Sequence, residues 1–118
     1  EPLPGHVEAA PLDWASVADR RRAAERGPWD LVVGSDLLYP GNCAESGNLG
    51  QRAHVDLLET LEDLAGPRTR FLLALQSRAG EVERFLRSLR GARWRCEESV
   101  APGRPSVAVL QLVLGDVA

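Results

Sequence analysis

Three short polar segments carry the groups in this chain best suited to chemistry: Asp13-Trp14, Ser35-Asp36-Leu37-Leu38-Tyr39 and Gln76-Ser77-Arg78. Each follows a stretch that reads as a strand. Together they offer carboxylates, hydroxyls, an amide, a guanidinium and two aromatic rings, groups that bind and orient a polar ligand. In open α/β sheets, ligands sit outside the carboxyl ends of the strands. Each segment also has a plain structural use. Asp13 can cap the helix after it, and Trp14 can be a core or lid aromatic. Asp36 can cap a turn, and Tyr39 ahead of Pro40 can simply pack. Their joint placement at three successive strand ends is what favours the ligand-binding reading.

The elements that must position these residues can be read from periodicity and breakers. Residues 1–5 are loop-like, and Val7 to Trp14 is expected to hold a short strand. Ser16 to Arg26 reads as a polar helix capped by Ser16 and stopped by Gly27-Pro28. Its Arg20-Arg21-Arg22 run is expected to be a solvated face. Trp29 to Asp36 is a strand whose Leu31-Val32-Val33 run suits a parallel strand covered on both faces. Tyr39 to Asn42 reads as a turn, and the Gly-, Asn- and Ser-rich stretch Cys43 to Gly50 as a loop.

Gln51 to Ala65 is the clearest helix. His54, Leu57, Leu58, Leu61 and Leu64 recur at helical spacing, with Arg52, Asp56, Glu59, Glu62 and Asp63 facing outward. Phe71 to Gln76 is a second buried strand. Glu81 to Arg90 is an amphipathic helix burying Val82, Phe85, Leu86 and Leu89. Trp94 to Val100 and Ser106 to Leu114 are two strands with no helix between them. The linker Ala101 to Pro105 is too short for a parallel crossover, so this last pair must be antiparallel. The order predicts an α/β fold with a mostly parallel sheet and a C-terminal antiparallel strand pair.

Composition narrows the class. The chain has 118 residues, enough for one small domain or a piece of one, and its 44% hydrophobic content can supply a core. A net charge of -3 argues against a broad nucleic-acid or membrane footprint. All 14 basic residues are arginine, and lysine, methionine and isoleucine are absent, which reads as genomic composition bias. With no Met at the start or elsewhere, the chain is expected to be a portion of a longer translation product. Cys43 and Cys96 lack metal-type spacing; free thiols in a reducing compartment are favoured over one disulfide. No signal peptide or membrane-length apolar run is visible, so a cytoplasmic or nuclear location is expected.

The segment Trp29-Asp30-Leu31-Val32-Val33-Gly34-Ser35-Asp36-Leu37-Leu38-Tyr39 resembles the fourth-strand region of seven-strand S-adenosylmethionine-dependent methyltransferases. It is most similar to the group that methylates protein side chains, often lysines, whose Asp-x-x-Tyr motif is matched by Asp36 and Tyr39. Pro11-Leu12-Asp13-Trp14 resembles that group's Leu-Asp-Trp segment after the third strand. The resemblance implies a Rossmann-like methyltransferase sheet, S-adenosylmethionine as cofactor and a protein substrate. It implies that Asp13 accepts a hydrogen bond from the adenine amino group and that Trp14 contacts the ring. Gly34 and Ser35 would let the backbone approach the methionine end, and Asp36 and Tyr39 would shape the acceptor channel. Methyl transfer from a sulfonium is a direct displacement, so alignment is the main task. A carboxylate can orient the acceptor amine, and an aromatic wall can hold a cationic head.

The sequence departs from that family in one large respect. No Gly-x-Gly-x-x-Gly loop is present, and no acidic residue ends a second strand to hold the ribose. Residues 1–118 are therefore expected to be a single partial domain, the C-terminal portion of a methyltransferase domain lacking the first two strands. The strand at Leu31 to Ser35 would then present an unpaired edge, which offers a route to association. Two other readings remain open. One is a non-catalytic interaction module or pseudoenzyme on the same fold. The other is an unrelated α/β nucleotide-binding or hydrolase domain. Against hydrolysis, there is no Gly-x-Ser-x-Gly elbow, and His6 and His54 lack an evident catalytic partner. His54 lies on the apolar helix face, where a satisfied core histidine is expected.

Overall fold

The computed structural model describes residues 5–38, 49–76, 80–90 and 93–115. Seven elements follow one another: α1 (Val17–Glu25), β1 (Leu31–Ser35), α2 (Leu49–Leu64), β2 (Arg70–Gln76), α3 (Glu81–Arg90), β3 (Trp94–Ala101) and β4 (Arg104–Leu114). Local signals account for several boundaries. Ser16 caps α1 by accepting from the Asp19 amide at 3.1 Å. In α3, Glu81 and Glu83 occupy the first turn, and Arg87 and Arg90 the last, complementing the helix dipole. The β3–β4 hairpin turns at Pro102-Gly103, where Gly103 takes φ 73°, a conformation costly for other residues.

The four strands lie in the order β1-β2-β4-β3. β1 and β2 pair in parallel, Leu31 beside Arg70 and Ser35 beside Ala74. β4 runs antiparallel to both of its neighbours, β2 and β3. The C-terminal antiparallel pair is thus present, but the sheet is mixed rather than mostly parallel. The connection through α3 carries the chain past one strand position, and β4 returns to fill it. β1, β2 and β3 therefore share a direction, yet only β1 and β2 touch.

Phe71, Leu73 and Leu75 of β2 meet Leu110 and Leu112 of β4, and α2 and α3 cover them with Leu57, Leu61, Leu64, Val82, Phe85 and Leu89. Trp94 closes the β3 side, its ring edge-on to Phe71 at 5.3 Å between centroids. Thr69 Oγ1 donates to the Trp29 carbonyl at 2.6 Å, clamping the starts of β1 and β2 together.

Two expectations are overturned. Residues 7–14 form no strand, and Val7 is 98% exposed. Pro11 removes a backbone donor there, and none of the described strands pairs with the segment. The Leu31-Val32-Val33 run is covered on one face only. Val32 packs against the core, whereas Leu31 and Val33 are 51% and 65% exposed, because the helices gather on the opposite side. β1 is an edge strand among the described residues.

Leu72 and Leu73 are neighbours that test this one-sided burial. Leu73 is 1% exposed and Leu72 is 40% exposed. Leu73→Ala is expected to destabilise by about 2–5 kcal/mol through cavity formation, and Leu72→Ala by about 1 kcal/mol or less. Urea unfolding of both variants checks the contrast; equal losses would mean that the outer face is buried.

Candidate functional site

Because β1 and β2 are parallel, both present their carboxyl ends at the same side of the sheet. Asp36 is the first residue beyond β1, and its amide donates to the Ala74 carbonyl at 2.8 Å, extending the pairing by one bond. Its φ of 55° is the one positive value at a non-glycine position among the described residues. Asp tolerates this left-handed conformation better than most side chains, but it occurs where surrounding structure enforces it. Here the enforcement comes from both sides. The amide bond holds Asp36 to β2, and Leu38, 1% exposed, plugs the core two residues later.

Gly34 has a packing explanation. A Cβ placed on it would lie 2.6 Å from Leu37 Cδ1 and 3.2 Å from Leu73 Cδ2. The Leu37 side chain folds back over the strand and occupies the space that glycine leaves. Ser35 is exposed at the end of β1. At the mouth of β2, Gln76 Nε2 donates to Ser106 Oγ at 2.7 Å, tying that strand end to β4. Tyr39, Ser77, Arg78 and Cys43 lie outside the described residues.

Asp13 and Trp14 are held by different elements. Asp13 Oδ1 accepts from the Ala15 amide at 3.0 Å, and the Asp13 amide donates to Asp19 Oδ2 at 2.9 Å. Asp13 thus helps to start α1. Trp14 is half-buried against the core. Its carbonyl accepts from Arg20 Nη1 at 2.7 Å, and this arginine corrects the solvated-face expectation. The Arg20 side chain is 12% exposed, with Nε 2.9 Å from Asp63 Oδ2 and Nη1 donating to Glu59 Oε2 at 3.3 Å. It binds the Asp13-Trp14 segment to α2. The two α2 carboxylates at positions 59 and 63 share a helix face, which was the available sequence signal for such a clamp.

His54 is largely covered, its side chain 15% exposed, but it is not satisfied among the described residues. Among the described residues its Nδ1 has no hydrogen-bond partner, and it stands 3.9 Å from Glu81 Oε2, which has none there either. Glu81 Oε1 accepts from Arg84 Nη1 at 2.8 Å. Cys96 is a free, exposed thiol. Partial burial and the neighbouring Glu98 raise its pKa, against an opposing effect of Arg90; it is a poor nucleophile at neutral pH. Among the described residues, no group of three His, Cys, Asp or Glu side chains could hold a metal.

A parallel strand pair in a mixed sheet, with Asp36 at its mouth in a left-handed conformation, makes this an α/β domain, a class in which ligands sit outside the strands' carboxyl ends. A family model described as lysine methyltransferase matches residues 2–92, and the chain belongs to that family. No curated protein matches it closely. Membership implies S-adenosylmethionine as methyl donor at the level of the family. The described residues fit that cofactor only in part. Leu37 fills the space over Gly34, and the Asp13 carboxylate bonds to its own turn. They do not by themselves build a cradle for it.

Arg20→Ala is expected to cost about 1–2 kcal/mol, since its partners are half-exposed and the loss is that of a partly screened network. It should loosen the Asp13-Trp14 segment selectively. Hydrogen exchange at amides 13–19 should accelerate about tenfold, equivalent to about 1.4 kcal/mol of local opening, with β2 protection falling no more than global stability. Unchanged exchange at 13–19 would remove Arg20 from any positioning role.

Proposed function

We propose that this chain carries the acceptor side of a methyl-transfer site acting on a protein lysine, with S-adenosylmethionine as donor. The observation that carries the reading is Asp36: a carboxylate residue held at φ 55° at the mouth of a parallel strand. In this reading the Asp36 carboxylate accepts a hydrogen bond from the acceptor amine and turns its lone pair toward the methyl group. Tyr39, assigned by resemblance, walls the same channel. Asp13 and Trp14 serve the adenine side, and Gly34 and Ser35 the methionine end. Because alignment is most of the work in such a displacement, few residues need to touch the reacting atoms.

Asp36→Gly separates chemistry from fold. Glycine adopts positive φ freely, so the variant should melt within a few degrees of the unsubstituted protein. Methyl transfer by the full-length gene product to protein lysines should fall by about a hundredfold or more, about 2.7 kcal/mol of transition-state stabilisation. Radiolabelled transfer and a thermal melt make the measurement. Near-normal turnover would reduce Asp36 to a turn residue.

A non-catalytic module on this fold is the second reading, favoured by the Leu37 side chain over Gly34 and the self-capped Asp13. Calorimetry on residues 1–118 bears on how much of the cofactor site they hold. S-adenosylmethionine is expected to bind more weakly than about 10 μM, about -7 kcal/mol. Tighter binding would show that these residues form a cofactor site on their own and would count against the non-catalytic reading.

A further inference from the structure

The contact between α2 and α3 holds a polar pair that packing leaves incomplete. His54 Nδ1 and Glu81 Oε2 are both buried, and neither has a hydrogen-bond partner among the described residues. They stand 3.9 Å apart. A hydrogen bond needs about 2.7–3.2 Å between such atoms, so they miss one another by about 1 Å. A buried polar atom without a partner has given up its hydration and gained nothing in return.

Each atom can satisfy the other. An ionised carboxylate oxygen accepts, and an imidazole Nδ1 donates when it carries the proton. Arg84 Nη1 donates to Glu81 Oε1 at 2.8 Å, which engages that oxygen and leaves Oε2 as the one that faces His54. The apolar part of the contact does not fix the spacing. Leu57 and Leu61 of α2 and Val82 and Phe85 of α3 belong to one buried cluster, and apolar packing is non-directional. Packed helices shift against one another by about 1–2 Å in conformational transitions, more than this gap requires.

Topology places the pair at the strand-mouth end. β1 and β2 are parallel, and α2 and α3 each follow the carboxyl end of one of them along the chain. Both helices therefore begin at that end. His54 lies in the first two turns of α2, and Glu81 is the first residue of α3. We propose that His54 and Glu81 are a latch between these helix starts: α2 and α3 close by about 1 Å, and the His54 Nδ1–H donates to Glu81 Oε2. The closed form ties the two helix starts together at the end of the sheet where Asp36 stands. The latch touches no reacting atom, and it does not depend on the methyl-transfer reading.

The test uses residues 1–118 carrying His6→Gln, which leaves His54 as the one histidine. Nitrogen-15 NMR of the ring at about pH 8, where an ordinary histidine is neutral, reports which ring nitrogen carries the proton. The proton is expected on Nδ1 in the folded chain. In Glu81→Ala it should move to Nε2, the form that a free imidazole side chain favours in water. A double-mutant cycle of His54→Ala and Glu81→Ala in urea unfolding should give a coupling of about tenfold in the unfolding equilibrium, about 1.4 kcal/mol. The spectrum of the chain with Glu81 intact keeps the test decisive should an alanine variant fail to fold. A bare Nδ1 in the folded chain overturns the proposal, as does a cycle whose two losses simply add.

Discussion

β2 is the strand on which the other elements depend. It pairs in parallel with β1 on one side and antiparallel with β4 of the hairpin on the other. Its inner side chains Phe71, Leu73 and Leu75 form the floor on which α2 and α3 rest. Its backbone also accepts the Asp36 amide at Ala74. A loss of packing beneath Leu73 therefore reaches the candidate site through the same strand that carries the core. The outer side chains of β2 contribute little to that core, which leaves them free to meet another surface.

Much of this architecture was legible because it rests on period and punctuation. The spacing of Val82, Phe85 and Leu89 marked α3, and those residues are buried. The short linker from Ala101 to Pro105 required an antiparallel hairpin, and β3 and β4 pair that way. What was not legible is non-local. Leu31-Val32-Val33 reads alike whether one face or two are covered, since the run cannot tell which helices fold over it. Val7 to Trp14 has strand-like residues, but a strand needs a neighbour, and local pattern does not supply one.

The site divides along the same line. Asp36 was picked out by residue type, position and resemblance, whereas its left-handed backbone depends on Ala74 and Leu38 acting from two sides. Arg20 was misread because a run of three arginines looks solvated. Its carboxylate partners lie on another helix, 39 and 43 positions away in sequence. His54 shows the converse. Its place on an apolar face predicted that it would be covered, and its side chain is 15% exposed, but a partner for its Nδ1 depends on how α2 and α3 approach, and they leave that atom 3.9 Å from Glu81.

The means of holding Asp36 bears on what evolution can change there. The Ala74 carbonyl and the buried Leu38 hold the Asp36 backbone from two sides. A side chain exchanged at this position meets a conformational cost that glycine or asparagine largely escapes, while the strand pairing survives. The pairing of β1 with β2 does not depend on which side chain stands at position 36, since it runs through the backbone. Asp13 is similar, since its carboxylate accepts from the Ala15 amide just ahead of α1. A fold that anchors its candidate groups by backbone and by helix caps can serve a catalyst and a binding module with few substitutions between them. The groups at the strand mouths decide which, and the core beneath them need not change.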